Sequence, residues 1–279
     1  MVAKLRGVAG TKRVGHAGTL DPMATGLLII GIDAGTKLLT FIVGQDKTYE
    51  ATIRLGAATV TDDAEGELTE YGTLAGCSES RIREELAKLT GEIEQVPSSV
   101  SAIKVDGKRA YALVRGGDEV KLKARPVTVT EFELLGLPRA VTVDGHDFID
   151  LDVRISCSSG TYVRALARDL GTALESFGHL TSLRRTRIGS YSVEQAQQLD
   201  GLNRESLQIT GMRASVTGFE IRELSEQDEI DLRHGKRIAA GTVAGTSVIA
   251  GVLGDRVVAM LEKHGQQLKS LVVFAKEEA

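Results

Sequence analysis

Gly15-His16-Ala17-Gly18-Thr19-Leu20-Asp21-Pro22-Met23-Ala24-Thr25-Gly26 is the densest run of special-purpose residues in the chain. Its three glycines allow a tight loop with backbone angles that other residues avoid. Pro22 biases Asp21 away from helical angles and so holds its carboxylate in a fixed direction. The apolar run at residues 26–32 follows and reads as a buried strand, a rigid support for the loop. An aspartate on such a loop is placed to react with a ligand. The same residues also fit an Asp-Pro turn with a capping carboxylate.

Working outward, residues 34–43 read as a short helix. Tyr49, Ala51, Ile53 and Leu55 alternate with Glu50, Thr52 and Arg54, the period of a half-buried strand. Residues 59–76 are acidic and turn-rich. Ile82, Leu86 and Leu89 recur at helical spacing, with Ser78 or Ser80 as cap and Gly91 as stop. Residues 97–125 are polar and basic with no clear period, an excursion of a length usually kept for function. Ile149, Leu151, Val153 and Ile155 alternate with Asp150, Asp152 and Arg154, the cleanest strand signal in the sequence. Thr161 is placed to cap a helix carrying Leu166, Leu170 and Leu174. Arg164 falls in the first turn of that helix, where a cation opposes the helix dipole unless an anion is near. A surface arginine covering apolar area with its stem is the plainer reading. Residues 225–233 read as one short helix. From Gly241 onward, Val-rich strands alternate with glycine turns, which predicts a small C-terminal β-barrel.

The 279 residues, 42% of them hydrophobic and 26% charged, suffice for a real core and about two domains. No apolar run approaches the roughly 20 residues of a membrane-spanning helix. The two cysteines, Cys77 and Cys157, form no Cys-x-x-Cys pair, and the expected compartment is the reducing cytoplasm. The net charge of -4 argues against nucleic acid, but its distribution does not. Residues 1–20 carry +4, residues 104–125 carry +4 and residues 158–190 carry +3, whereas residues 62–94 carry -7. Three basic segments on one face would suit phosphates; three separate solvated faces fit equally well.

Gly-Lys at 107–108 and at 235–236 is followed by Arg each time, so no phosphate loop of the Walker type is present. The five histidines show no metal-ligand spacing. No cofactor and no metal are expected.

These residues resemble a known family. The run Gly15 to Gly26 is similar to the signature loop of the TruB family of bacterial tRNA pseudouridine-55 synthases. Lys47-Thr48-Tyr49 with Arg54-Leu55-Gly56 resembles its second motif. Gln95-Val96-Pro97, Ser101-Ala102-Ile103-Lys104 and Gly107-Lys108-Arg109-Ala110-Tyr111 resemble its RNA-contacting insertion. Cys157-Ser158-Ser159-Gly160-Thr161-Tyr162-Val163-Arg164 resembles the third motif and Leu183-Arg184-Arg185 the fourth.

The resemblance implies an α+β fold: a pseudouridine-synthase-like domain around a mixed, largely antiparallel sheet over residues 1–212, with a basic insertion at about 97–125. A small PUA-like β-barrel that binds RNA would follow over residues 213–279. It implies Asp21 as the catalytic carboxylate, Tyr49 stacked on the target uracil and a candidate for moving the C5 proton, and Arg164 as the partner of Asp21. Leu183 would pack under the base and His16 would enter the RNA loop. Lys12, Arg13, Lys104, Lys108 and Arg109 would contact the RNA. The substrate implied is the T-arm stem-loop of tRNA, the enzyme a monomer. Relatives carry an upstream strand ending in Lys-Pro-x-Gly that this sequence does not include, and Met1 is therefore expected to be a mis-assigned start.

The implied reaction breaks the N1–C1′ bond of a uridine, turns the base and joins C5 to C1′. It transfers nothing to a cofactor, in keeping with the missing cofactor motifs. Two other classes stay open: an RNA-binding or RNA-folding protein without turnover, and a glycosidase-like enzyme, for which the loop offers only one acid.

Overall fold

The structure, a computed structural model, describes residues 1–98, 122–245 and 248–275, and the backbone alone of 104–105 and 108–109. The chain divides into two compact units. One comprises residues 20–27 and 44–188; the other comprises residues 1–19, 28–43 and 189–279.

Along the chain, helix α1 (Val2–Ala9) precedes strands β1 (Val14–Ala17), β2 (Thr25–Gly26) and β3 (Ile29–Ile32). Helix α2 (Leu39–Val43) leads to β4 (Lys47–Leu55), β5 (Ala57–Thr59) and β6 (Leu68–Tyr71). Helix α3 (Glu79–Lys88), β7 (Gly91–Gln95), β8 (Lys104–Val105), β9 (Lys108–Arg109), β10 (Arg125–Leu134), β11 (Arg139–Val143) and β12 (His146–Cys157) follow. Helix α4 (Val163–Ala173), β13 (Gly178–Ile188), β14 (Tyr191–Ser192), β15 (Glu220–Glu223), helix α5 (Glu226–Arg233) and β16 (Ile238–Ala239) come next. Strands β17 (Ile249–Leu253), β18 (Arg256–His264) and β19 (Gln267–Val273) complete the order.

In the first unit the sheet runs β13-β4-β12-β10-β7, all antiparallel; β11 adds to β12, and β2 adds in parallel to β13. The alternation read from β4 and β12 sets the register. Tyr49 lies opposite Ile155, and Ile53 opposite Leu151. On the other side of β4, Tyr49 faces Arg185 and Ala51 faces Leu183. Ile53, Leu55, Leu151 and Ile155 are fully buried beneath Ile82 and Leu86 of α3 and Leu166 and Leu170 of α4. Truncating one such leucine to alanine costs about 2–5 kcal/mol. The opposite face is polar: Arg54 forks onto Asp150 with both bonds at 2.8 Å, and Arg154 meets Glu50 at 3.2 Å.

In the second unit β1 and β3 form an antiparallel pair. The C-terminal sheet has the order β15-β17-β18-β19-β16, parallel at β15–β17 and antiparallel elsewhere. Leu232, Ile238, Ile249, Val258, Leu261 and Leu268 form its core. Ser225 and Asp228 close a reciprocal capping box at the start of α5. The Val-rich strands expected between glycine turns are present as β17, β18 and β19.

Three local expectations need correction. The single strand expected over 26–32 is broken: Thr25–Gly26 pairs with β13, whereas Ile29–Ile32 pairs with β1. Gly26 needs a left-handed φ of 92° for this, an angle no apolar strand residue supplies. The helix expected over 34–43 starts as a 3-10 turn over Asp33–Lys37 and becomes α-helical only at Leu39–Val43. Tyr162, not Thr161, is the N-cap of α4, and no side chain caps it from its own position. Cap Ser78, by contrast, accepts from Arg81 N–H as its residue type predicts. Most of the expected basic insertion lies outside the described residues.

Candidate active site

Asp21 closes a turn in which its carbonyl accepts from the Ala24 N–H at 2.9 Å. Met23 and Ala24 pack against the core of the sheet unit. The loop then returns to β13. The Leu27 N–H donates to the Arg185 carbonyl at 2.7 Å, and Arg185 Nε donates back to the Leu27 carbonyl at 2.9 Å. Arg185 is 1% exposed, so this double stitch is shielded from water. A Cβ on Gly26 would lie 2.3 Å from the Arg185 carbonyl oxygen. Only glycine lets the loop reach the strand.

Arg164, in the first turn of α4, reaches this loop. Its Nε donates to Asp21 Oδ2 at 3.0 Å and its Nη2 to Asp21 Oδ1 at 3.3 Å, a forked pair. Its Nη1 donates to the Thr61 carbonyl at 2.8 Å and sits 3.3 Å from Asp63 Oδ2. The Arg164 side chain is 7% exposed and that of Asp63 3%, but that of Asp21 is 37% exposed. Two carboxylates thus offset a cation placed against the helix dipole. Asp21 keeps one side open to solvent.

The loop carrying Asp63 is itself fixed. Thr61 Oγ1 donates to Asp63 Oδ1 at 2.5 Å, the Glu65 N–H donates to the same oxygen at 3.1 Å, and Thr59 Oγ1 donates to the Asp63 carbonyl at 2.8 Å. Asp62 takes a left-handed φ of 58° and its carbonyl accepts from the Leu180 N–H at 3.0 Å.

Tyr49 lies buried on β4 beside Arg185 of β13. Burial pushes its phenol above the usual range, while the charge and hydrogen bond of Arg185 oppose that rise and the charge of Asp21 adds to it. The group is therefore a neutral phenol at physiological pH. Leu183, on the same strand as Arg185, is buried. Burial, then the charge of Arg185, lowers the amine of Lys47. Cys157 is buried and its thiol is pushed up to about 11, so it is not a nucleophile.

The structure thus brings Asp21 and Arg164 into contact and sets Tyr49 where the charge of Asp21 is felt. His16, Lys12 and Arg13 belong to the other unit. His16 is exposed on β1, Lys12 is exposed, and Arg13 Nε meets Asp33 Oδ1 at 2.9 Å. The backbones of Lys104 and Arg109 pair, as do those of Val105 and Lys108. The side chains of Lys104, Lys108 and Arg109 lie outside the described residues. Among the described residues no cluster of three or more metal-ligating side chains occurs. No helix of the described residues is long and apolar enough to cross a membrane.

Sequence reasoning missed Asp63, Thr61 and the burial of Arg185, and it read Gln95 as part of the RNA-contacting insertion, whereas the structure buries it at the end of β7. Asp63 was legible only as one of ten acids in residues 62–94, a segment whose charge opposes that of the three basic segments. Its signal was the pair Asp62-Asp63 amid threonines, a composition that favours turns with side chains bonded to backbone. Arg185 was visible as part of a motif, but its burial was not.

A family model described as "TruB family pseudouridylate synthase (N terminal domain)" matches residues 6–163, and one described as "tRNA pseudouridylate synthase B C-terminal domain" matches residues 164–218. The chain is similar to the tRNA pseudouridine synthase B of Leifsonia xyli, 52% identical over 100% of this chain and 92% of the relative. It is 51% identical to that of Paenarthrobacter aurescens over 99% of this chain and 90% of the relative. The corresponding figures for Thermobifida fusca are 48%, 99% and 93%. Among solved structures, a chain of an H/ACA RNP bound to a substrate RNA containing 2'-deoxyuridine matches with a TM-score of 0.69 at 19% identity, over 99% of this chain and 81% of that one. A chain of a Cbf5-Nop10-Gar1 complex matches with a TM-score of 0.68 at 21% identity, over 98% and 80%. These structures share the fold.

Proposed function

The chain belongs to the TruB family of pseudouridylate synthases, and from that premise we propose that it isomerises the uridine at position 55 of the tRNA T-loop, with Asp21 as the reacting carboxylate. The forked pair between Asp21 and Arg164, with the acid half open to solvent, is the observation that carries this reading.

The target atoms of uridine are hidden in a folded RNA loop, so the nucleotide is flipped out at a cost of a few kcal/mol. Asp21 then meets the ribose, as nucleophile at C1′ or as base at C2′. Arg164 keeps the carboxylate aimed through its forked pair of hydrogen bonds. Once the N1–C1′ bond has broken, the uracil turns on the face of Tyr49, over Leu183, until C5 meets C1′. Stacking of this kind contributes about 1–3 kcal/mol. Joining C5 to C1′ frees the carboxylate if it had bonded there; the C5 proton then passes to solvent through the hydroxyl of Tyr49, a neutral phenol that gives up its own proton as it takes one, while N1 takes up a proton. His16 fills the RNA loop, and Lys12, Arg13, Lys104, Lys108 and Arg109 grip phosphates. The division of labour proposed is a catalytic domain over 1–212 and a PUA-like RNA-binding domain over 213–279. The enzyme acts as a cytoplasmic monomer without metal or cofactor.

Tritium release from tRNA labelled at uridine C5 tests the reading. Wild-type protein releases tritium, and Asp21→Asn binds the tRNA without releasing any. Release by Asp21→Asn at the wild-type rate removes Asp21 from the reaction. No release by either protein leaves a tRNA-binding or RNA-folding protein instead.

A further inference from the structure

The N-terminus of α4 is held from outside the helix. Gln95, the last residue of β7, is 1% exposed and spends both ends of its side-chain amide on one residue. Its Oε1 accepts from the Tyr162 N–H at 2.8 Å, and its Nε2 donates to the Tyr162 carbonyl at 3.1 Å. The amide thus acts as a strand-like partner for Tyr162, the N-cap of α4 and two residues before Arg164. A helix start lacking a side-chain cap leaves orphan groups, and a buried amide is an expensive place to leave a bond unmade.

A second tie lies one helical turn on. Arg168 Nη2 donates to the carbonyl of Val96, the neighbour of Gln95, at 2.7 Å. Arg168 also meets Asp62 at 3.4 Å, next to the Asp63 that holds Arg164. Residues 95 and 96 therefore hold the start of α4, just before Arg164, and the turn that carries Arg168. Tyr162 is thus held at both its N–H and its carbonyl, two residues before Arg164. Arg164 has a forked target in Asp21 and an anion behind it in Asp63, so a shift of the helix start breaks several bonds together.

We infer that Gln95 is a positioning residue for the proposed reaction, setting the Arg164–Asp21 pair through the backbone of Tyr162. This rests on the reading of Asp21 given above. A neutral carboxylic acid has the donor and acceptor of an amide, whereas a carboxylate has only acceptors. Gln95→Glu is therefore a pH-switchable mimic. Burial raises the pKa of such an acid, and its protonated form restores both bonds to Tyr162.

The experiment measures tRNA affinity, KM and single-turnover pseudouridine formation for wild type, Gln95→Leu, Gln95→Glu and Asp21→Asn, with thermal denaturation beside each. Gln95→Leu is expected to lower the single-turnover rate about 10- to 100-fold, the scale of a small misplacement of a reacting group. Its KM and tRNA affinity stay within about 2-fold, because Gln95 is buried and touches no ligand. The rate of Gln95→Glu relative to wild type rises as the pH falls. A wild-type rate for Gln95→Leu beside a silent Asp21→Asn overturns the Gln95 assignment alone. So does a rate that falls only with the folded fraction, or a Gln95→Glu ratio that ignores pH. A wild-type rate for Asp21→Asn overturns the reading of the site and this inference with it.

Discussion

Arg164 and Asp21, 143 residues apart in sequence, meet through two parallel hydrogen bonds of 3.0 and 3.3 Å. The geometry is that of a guanidinium fork on a carboxylate, which an ammonium cannot reproduce. Arg164→Lys keeps the charge and loses the fork, along with the bond to the Thr61 carbonyl. The expected result is retained tRNA binding with turnover down about 10²- to 10³-fold, the scale of losing one preorganised electrostatic contact. Filter binding and tritium release measured together check it; an equal loss of both would mean that Arg164 serves RNA binding instead.

Asp63 has the same arginine at 3.3 Å but is closed to solvent. Its work is therefore on Arg164 and on its own loop rather than on a ligand. Asp63→Asn retains an acceptor for Thr61 and Glu65 but removes the second negative charge. Urea unfolding is expected to show a loss of about 2 kcal/mol, since a hydrogen bond to a charged group contributes about 1.5–3. Asp63→Ala strips the loop's internal bonds as well and costs more. In both variants the rate falls while tRNA affinity is kept. Undiminished stability in Asp63→Ala would show the loop to be held without its carboxylate.

The loop at residues 15–26 announced itself through residue types whose backbone physics is local: three glycines and an Asp-Pro step. Strands β4 and β12 were equally legible because their period of two is set by one buried face. Arg164 was singled out because a cation in a helix's first turn needs an anion, and the structure supplies two. What the sequence hid was non-local. Gly26 looks like the start of an apolar strand, and only the approach of Arg185 explains why the chain breaks there. Thr161 has the right type for a cap, but Gln95 from β7 binds Tyr162 and moves the helix start by one residue. Asp63 reads as surface charge until Leu180 and Arg164 are folded against its loop.

Gly26 offers a test of the stitch between loop and strand. A methyl group there would sit 2.3 Å from the Arg185 carbonyl oxygen, at a φ of 92° that side chains resist. The obstacle is backbone, so nothing flexible can swing away. Gly26→Ala is expected to cost about 1–3 kcal/mol of stability from backbone strain. It also displaces the loop that carries Asp21, so the single-turnover rate falls even at temperatures where the protein is fully folded. Gly7, inside α1 and with nothing within 4 Å of where a Cβ would stand, is the control position, and Gly7→Ala is expected to raise stability by about 0.5–1 kcal/mol through helix propensity. If both substitutions behave alike, the close approach of the loop to β13 has no energetic role.

Glu229 gives the second unit a pH dependence of known sign. On α5 it accepts from Arg256 Nη1 and Nη2 at 3.0 and 2.9 Å, and from Arg233 of its own helix at 2.7 Å. Its hydrogen bond with Arg256, opposed by burial and helped by Arg233, brings its pKa down from 4.5 to about 2. A carboxylate whose folded pKa is depressed stabilises the protein fully above its unfolded pKa. That contribution fades as the pH falls from 4.5 toward about 2. Glu229→Gln is therefore expected to be less stable than wild type near neutrality by about 1–2 kcal/mol, after allowance for screening by solvent. The gap narrows as the acid titrates, because the two side chains become alike once wild-type Glu229 is protonated. Urea midpoints taken at neutral pH, near pH 4 and near the folded pKa of about 2 follow this convergence. A gap of constant size across that range would place the contribution of Glu229 in packing, not in its charge.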